Sequence, residues 1–512
     1  MKSPIPKNPM KDLKGRTVRA GFAKLCAQGI TFVLRVGSLM VLARLLDPKD
    51  FGLVAMVAVV TGFFEKLRDA GLSIVTIQRA AISKEEVSTL FWINMMVGAT
   101  LGALLSAIAP VLSFFYNEPR LAWVTVGLAA GFLFNAAGVQ HSALLQREMR
   151  FITLSGIEIL SLALSIVVGI AMAIGGYKYW ALVVMAVVMP ASNTVGVWLA
   201  TMWVPGRPHW GAGVSSMIRF GGTATLNILV MDIAFNLEKV LLGRFWGAEA
   251  LGIYGRAYQL VKLPTDSLNS AIGGVVFSAL SRLQSDHGRF KNYFLKGYSL
   301  VLAMTVPVTV ACALFADDII LVILGPQWKE AIPIFRLLTP TILIFALIMP
   351  MGWLMYSLGL VGRSLRISLV IAPLVLAACI LGLPYGPSGV ALAYSAAMIL
   401  WVIPHLAWCI NGTMISLRDL LEAVHRPILS AIAAAAIVFA AQAFYGQALS
   451  PFPRLVLGGS ILVLSYVWML LYVMGQKAFY LDLLGGLKRT SVGNETGKDV
   501  GTSTLPTVRK PA

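Results

Sequence analysis

A motif that begins Leu42-Ala43-Arg44-Leu45-Leu46 and continues Phe51-Gly52-Leu53 occurs twice in this chain. The second copy lies 200 residues later and reads Leu242-Gly243-Arg244-Phe245-Trp246, then Leu251-Gly252-Ile253. The match continues upstream at the same offset, where Arg19-Ala20-Gly21 aligns with Arg219-Phe220-Gly221. We therefore interpret the chain as two similar halves in tandem. In membrane proteins, internal repeats are typical of transporters whose substrate site lies at the interface between the repeats.

Composition predicts an all-α integral membrane protein. Of the 512 residues, 58% are hydrophobic and only 12% are charged, and the mean hydropathy is +0.80. Because a membrane-crossing helix needs about 20 mainly apolar residues, hydropathy predicts about fourteen transmembrane helices. Apolar runs without alternating polarity favour helices over barrel strands. In chain order, the predicted spans 1 to 14 are 22–43, 51–67, 88–115, 121–144, 153–174, 180–203, 219–242, 251–277, 297–316, 332–358, 367–383, 387–410, 428–446 and 454–475.

The distribution of Lys and Arg predicts the orientation. With the N-terminus inside, 28 of the 41 basic residues fall in cytoplasmic segments and seven in outer loops, as the positive-inside rule requires. We therefore predict that both termini are cytoplasmic. Topology then accounts for most of the net charge of +18. Because these charges are dispersed over short loops, we predict no nucleic-acid partner.

The repeat also predicts the domain organisation. Six crossings separate the two copies, so both halves insert in the same orientation, related by a pseudo-twofold axis along the membrane normal. Spans 13 and 14 have no counterpart in the repeat. The predicted segments are a cytoplasmic N-terminal segment (1–21), an N-terminal six-helix half (22–203), a cytoplasmic linker (204–218), a C-terminal six-helix half (219–410), a loop plus spans 13 and 14 (411–475), and a cytoplasmic, disordered tail (476–512).

The motif also carries a family resemblance. The run from Ala43 to Leu53 resembles the ARLLGPEDFGL signature that ends the first helix of bacterial polysaccharide exporters, which belong to the multidrug/oligosaccharidyl-lipid/polysaccharide exporter superfamily. Phe91-Trp92-Ile93-Asn94 is similar to the lipopolysaccharide and exopolysaccharide exporters in particular. Two positions depart from the family pattern. Glu238 stands where Asp is usual, and Ser278 stands where Pro is common.

The resemblance implies a transporter rather than an enzyme. Its expected activity is to flip an undecaprenyl-diphosphate-linked oligosaccharide across the bacterial inner membrane by alternating access. No cofactor is expected, and the coupling ion would be H⁺ or Na⁺. Membrane lipids are the expected surroundings, and a polysaccharide polymerase and a chain-length regulator are the candidate protein partners.

A polar stripe in span 1 is the first candidate for the substrate site. Lys24, Gln28, Thr31, Arg35 and Ser38 recur every three or four residues and share one helix face. A charge at mid-bilayer costs roughly 2.5 to 3.5 kcal/mol, so such residues usually face a cavity. The substrate-binding candidates are Arg35, Lys24, Gln28, Thr31, Lys239, Arg256 and Lys262.

Acidic residues within the spans are candidates for ion coupling. They are Glu65, Asp69, Asp232, Glu238 and Asp266. Several alternatives remain open at this point. The lysines can extend to the membrane surface, Arg35 can pair with Glu65 or Asp232, and Glu65 and Asp69 can belong to a solvated cluster at the cytoplasmic end of span 2.

Two other functions fit the sequence less well. A multidrug exporter of the same superfamily would favour an acidic, aromatic cavity over one that contains Lys24 and Arg35. A polysaccharide polymerase or ligase needs a sizeable outer loop, whereas the longest one predicted here lies near Asp317 to Glu330. The four cysteines lie singly in apolar spans and lack metal-ligand spacing.

Overall fold

The computed structural model describes residues 9–68, 83–208, 236–445 and 449–478, with most side chains from residue 26 onward. Throughout these ranges the regular structure is helical, as hydropathy predicts. Ten stretches in them are long and apolar enough to cross a membrane, and two of these, Ala331–Ser357 and Val361–Ile410, each contain two α-helices.

The N-terminal half contributes six helices to the described part of the chain. They are α1 (Pro9–Leu45), α2 (Pro48–Arg68), α3 (Lys84–Tyr116), α4 (Leu121–Arg147), α5 (Phe151–Ile174) and α6 (Tyr179–Thr201). A capping box fixes the start of α3, because the Ser83 hydroxyl accepts from the Glu86 amide while the Glu86 carboxylate accepts from the Ser83 amide at 2.7 Å.

The rest of the described chain adds nine helices. They are α7 (Leu237–Arg282), α8 (His287–Leu314), α9 (Ala316–Ile323), α10 (Ala331–Leu338), α11 (Pro340–Ser357), α12 (Val361–Gly382), α13 (Gly386–Ile410), α14 (Leu417–Tyr445) and α15 (Pro451–Trp468). The last two correspond to predicted spans 13 and 14.

Three elements differ from the predicted spans. The end of span 7 and all of span 8 form α7, whose two parts meet at Gly247 with a φ of +81°, a conformation that glycine adopts readily. Span 10 is divided at Pro340 into α10 and α11. The predicted outer loop 317–330 holds α9 and a short 3₁₀ turn, Pro326–Trp328, whose Trp328 is fully buried.

The two halves meet where α1 ends and α2 begins, which we call the outer end after the charge-based orientation. A Cβ atom at Gly52 would lie 1.6 Å from the carbonyl oxygen of Ala248, and one at Gly252 would lie 1.9 Å from that of Pro48. Only glycine permits backbones to approach this closely. We call these four residues the outer seal.

Helix α9 braces the same end from the side. The guanidinium of Arg44 donates to the carbonyl oxygens of Val322 and Ile323, at the end of α9, at 2.6 and 3.4 Å. At the start of α9, Asp318 accepts two hydrogen bonds of 2.9 Å from Nε of Arg454 in α15. The brace therefore connects the N-terminal half to the C-terminal helix pair.

The C-terminal helix pair is attached to the second half at other levels too. The Tyr466 hydroxyl donates to the carbonyl oxygen of Ala303 at 2.9 Å. At the start of α8 and α14, Nζ of Lys291 lies 2.7 Å from Asp419. With Arg454, these contacts hold α14 and α15 against α8 and α9, so we treat them as one body with the second half.

Candidate functional site

Arg35 lies on an accessible polar stripe of α1. Gln28 and Arg35 are exposed, and Thr31 and Ser38 are half-buried. A second exposed set is apolar and lies on the opposite side of the helix: Ile30, Val33 and Val41. Helix α1 therefore has one face that suits lipid and one that suits a wet cavity.

Arg35 forms no ion pair with a described residue. The alternative of a pair with Glu65 is therefore absent from the structure, whereas Asp232 lies outside the described residues. A guanidinium that is not paired with a carboxylate has its hydrogen-bond donors available for an anion.

Arg256 lies at the interface between the halves. Its guanidinium carbon is 4.5 Å from the centre of the Phe51 ring, which belongs to α2. Its Nη1 donates to the side-chain oxygen of Gln259. Among the described residues it has no carboxylate partner. Arg256 is thus a second cation of the interior whose charge is not neutralised by an acid.

Arg35, Lys239 and Arg256 lie at similar distances along their helices from the outer end. Each is eight to ten residues from the end of its helix segment, which is Leu45 for α1 and Gly247 for both parts of α7. At 1.5 Å per residue, their Cα atoms are about 12 to 15 Å along the helix axes from these ends. The guanidinium of Arg256 reaches back towards the outer end, where it contacts Phe51, the residue before Gly52 of the outer seal.

Lys239 contacts polar and aromatic groups of its own half. Its ammonium lies 2.6 Å from the side-chain oxygen of Asn236 and 4.9 Å from the centre of the Tyr258 ring. The Lys239 side chain is therefore directed towards Asn236 and Tyr258 and does not extend to the membrane surface.

Glu238 is buried beside this lysine, with 1% of the residue exposed. Its two carboxylate oxygens and the hydroxyl of the equally buried Tyr254 have no hydrogen-bond partner among the described residues. Tyr254 stacks on Tyr258 at 6.1 Å, and Tyr258 meets Tyr394 edge to face at 6.2 Å. A buried carboxylate without partners favours either a bound proton or a bound cation.

The remaining candidates lie farther from the outer end along their helices, or outside the described residues. Lys262 and Asp266 form an i,i+4 pair at 4.0 Å, and each side chain is about half exposed. Glu65 is exposed near the end of α2. The side chain of Lys24 and the residues Asp69 and Asp232 lie outside the described parts of the chain.

Two aromatic rings contact these cations, and nothing in the sequence pattern indicates them. The guanidinium of Arg256 lies over the Phe51 ring, and the ammonium of Lys239 lies over the Tyr258 ring. Phe51 stands in the duplicated motif, which indicated the repeat but gave no sign of a cation partner. Within the described residues, no group of three His, Cys, Asp or Glu side chains could hold a metal ion.

Comparison with known proteins identifies the family. The sequence pattern of the family described as "Polysaccharide biosynthesis protein" matches residues 41–333, more than half of the chain. The teichuronic acid biosynthesis protein TuaB of Bacillus subtilis is 30% identical over 304 residues, covering 58% of this chain and 62% of TuaB. The lipopolysaccharide biosynthesis protein WzxC of Escherichia coli is 26% identical over 395 residues, covering 76% of this chain and 80% of WzxC.

Solved structures share the fold. The lipid II flippase MurJ, in an inward closed conformation, superposes with a TM-score of 0.71 at 13% identity and covers 91% of this chain and 100% of MurJ. The multidrug transporter DinF-BH gives a TM-score of 0.54 at 15% identity, covering 82% of this chain and 100% of DinF-BH. The match of the family pattern over residues 41–333 shows that the chain belongs to the polysaccharide biosynthesis protein family, a group of multi-pass membrane transporters.

Proposed function

We propose that this protein flips an undecaprenyl-diphosphate-linked oligosaccharide across the bacterial inner membrane by alternating access, for surface polysaccharide or exopolysaccharide biosynthesis. One observation carries the proposal. Arg35 and Arg256 come from different halves, have no carboxylate partner among the described residues, and each lies nine or ten residues along its helix from the outer end. Two guanidiniums so placed suit a diphosphate, because guanidinium pairs with phosphate oxygens through directed hydrogen bonds.

The proposed topology places the cavity opening on the cytoplasmic side. Both termini are cytoplasmic, and a pseudo-twofold axis along the membrane normal relates the halves 22–203 and 219–410. The reciprocal contacts of the outer seal support this symmetry, because Gly52 and Gly252 are repeat counterparts, as are Pro48 and Ala248.

The proposed cycle has three steps. The head group enters between the halves, where Arg35, Lys24 and Arg256 offset its negative charge and Gln28 and Thr31 hydrogen-bond sugar hydroxyls. The prenyl tail stays in the lipid, since its transfer into a polar cavity would be unfavourable. The halves then rock, the outer seal separates, and the head group leaves towards the periplasm.

Ion coupling is proposed to act through Glu238. Among the candidates Glu65, Asp69, Asp232, Glu238 and Asp266, it is the one that the structure describes as buried and without partners for its carboxylate. Asp266, by contrast, lies opposite Lys262 at half exposure. Either H⁺ or Na⁺ would satisfy the Glu238 carboxylate. Polysaccharide polymerase and a chain-length regulator remain proposed partners.

The test is polymer export by cells in which a variant is the only copy of this protein. Arg35→Ala and Arg256→Ala should abolish export while the amount of folded protein in the membrane stays unchanged. Arg35→Lys should retain part of it, since the charge remains. Arg289→Ala is the matched control, because the side chain of Arg289 is 80% exposed and far from the seal in sequence. Normal export by Arg35→Ala and Arg256→Ala would refute the proposed site.

A further inference from the structure

The outer seal is symmetric in its backbone but not in its side chains. The repeat counterparts of Phe51 and Arg256 are Leu251 and Met56. Leu251 and Met56 are buried and apolar, and both lie against Gly243. At the equivalent place on the other side of the seal, the guanidinium carbon of Arg256 lies 4.5 Å from the centre of the Phe51 ring. The chain therefore has a cation at one side of an interface that needs only apolar contacts on the other.

The Phe51 ring is held firmly for this contact. It is 2% exposed and meets Trp328 edge to face at 5.4 Å. The indole nitrogen of Trp328 in turn donates to the carbonyl oxygen of Ala43 at 2.8 Å. Both faces of an aromatic ring carry negative electrostatic potential, so Phe51 attracts a cation although it has no charge. The ring thus gives Arg256 the partner that a carboxylate would otherwise supply.

We propose that Phe51 is a positioning residue that stands in for the anionic substrate while the transporter is empty. In the empty protein, the Arg256–Phe51 contact joins α7 to α2 and favours the sealed outer end. A diphosphate binds a guanidinium more strongly than an aromatic ring does. Its arrival draws Arg256 away from Phe51 and removes one contact across the seal. The inference rests on the proposed function, and it adds a reason for the seal to open only when the head group is bound.

The experiment measures the distance across the outer end by electron spin resonance. Spin labels at Lys49→Cys and Glu249→Cys report it, because both residues are exposed repeat counterparts beside the seal. The four native cysteines, Cys26, Cys312, Cys379 and Cys409, are replaced by alanine. The full chain is reconstituted in lipid, and the probes are farnesyl diphosphate and inorganic pyrophosphate. Comparing the two shows whether the diphosphate alone is sufficient or a prenyl chain is required.

The expected results are specific. The labelled parent should show a short distance without ligand and a longer one with diphosphate. Phe51→Leu, which keeps the apolar filling but removes the ring, should populate the longer distance without ligand, by roughly two- to thirty-fold. Arg256→Gln should do the same, and the double variant should open no further than either single variant, since one contact accounts for both effects. Loss of mere packing at Phe51 would instead add to the effect of Arg256→Gln.

The matched control is Phe64→Leu. Phe64 lies on the same helix and is buried, but it packs within its own half against Phe132 at 6.5 Å. This variant should match the labelled parent. If Phe51→Leu leaves the ligand-free distance unchanged while the parent still responds to diphosphate, the role of Phe51 is refuted and the proposed function stands. If the parent responds to neither diphosphate, the proposed substrate chemistry is refuted along with the displacement step.

Discussion

Gly52 of α2 and Ala248 of α7 touch backbone to backbone, since a Cβ atom at Gly52 would lie 1.6 Å from the Ala248 carbonyl oxygen. Gly252 and Pro48 make the same contact with the halves exchanged, at 1.9 Å. Contacts that exchange in this way are those that a twofold arrangement of similar halves produces. The duplicated motif thus closes the outer end by packing against its own copy.

Gly52→Ala should therefore prevent the outer seal from forming. A methyl group has no room against a backbone carbonyl, which cannot rotate away as a side chain can. We expect the sealed state to lose about 3 kcal/mol or more. The label pair at Lys49 and Glu249 should then show a longer distance without ligand.

Gly62→Ala is the control on the same helix. Among the described residues, no atom of a neighbouring element lies within 4 Å of a Cβ atom at Gly62, and alanine is the better helix former. This variant should keep the short distance and be equally or slightly more stable, by up to about 1 kcal/mol. If Gly52→Ala retains the short distance, the close approach is not what seals the outer end.

The sequence predicts the architecture better than the contacts within it. Hydropathy locates most of the predicted spans, because each depends on a local run of apolar residues, and ten stretches of the described residues are long and apolar enough to cross a membrane. It misses α9, since Asp317 and Asp318 make that stretch look like a solvated loop. Asp318 is nevertheless buried, because Arg454 comes from a distant helix to pair with it.

The same reason limits what could be predicted of the site. A stripe such as Arg35, Thr31 and Gln28 is visible in one helix, so its polar face can be read from spacing. The partners of Arg256 and Glu238 depend on how separate helices pack, and one sequence does not contain that information. Their roles in binding and coupling remain predictions.

Arg454→Ala should loosen the brace on the outer end. The pair is largely buried, with side-chain exposures of 27% for Arg454 and 5% for Asp318. Removing one partner leaves a buried charge uncompensated, at a cost of about 3 kcal/mol. Thermal unfolding should show this loss, and Asp318→Asn in the same background should recover part of it. The exposed pair Arg418–Glu422 is the comparison, where Arg418→Ala should cost less than about 1 kcal/mol. Equal effects of the two arginine variants would argue against the brace.

Glu118 should make stability depend on pH in the acid range. Hydrogen bonds of 2.8 and 2.9 Å from the Arg120 guanidinium lower the pKa of this carboxyl, which lies in the turn between α3 and α4. Because its pKa is lower in the folded than in the unfolded protein, the pair stabilises the fold above the unfolded value. That contribution is lost as the pH falls through the folded value.

Glu118→Gln should therefore be less stable than the wild type at pH 7, by about 0.5 kcal/mol for a partly exposed pair, and the difference should vanish in acid. Unfolding curves at several pH values between 7 and 3 would measure it. Glu148→Gln is the control, because Glu148 lies 3.6 Å from Arg150 with both side chains largely exposed. A difference at Glu118 that persists in acid would show that the change acts by another route.

Glu238→Gln should separate ion coupling from folding. The amide has the shape of the carboxyl group but no charge, and the site offers the carboxylate no hydrogen bond from a described residue. We therefore expect folding to be retained, with stability equal to or above the wild type, because a buried charge without partners is unfavourable. Transport in lipid vesicles should continue down a substrate gradient yet no longer respond to a pH or Na⁺ gradient. Tyr254→Phe, which removes the neighbouring hydroxyl alone, should keep that response in weakened form. If either gradient drives transport by Glu238→Gln as well as by the wild type, this carboxyl is not the coupling group. The candidates would then be Glu65, Asp69, Asp232 and Asp266.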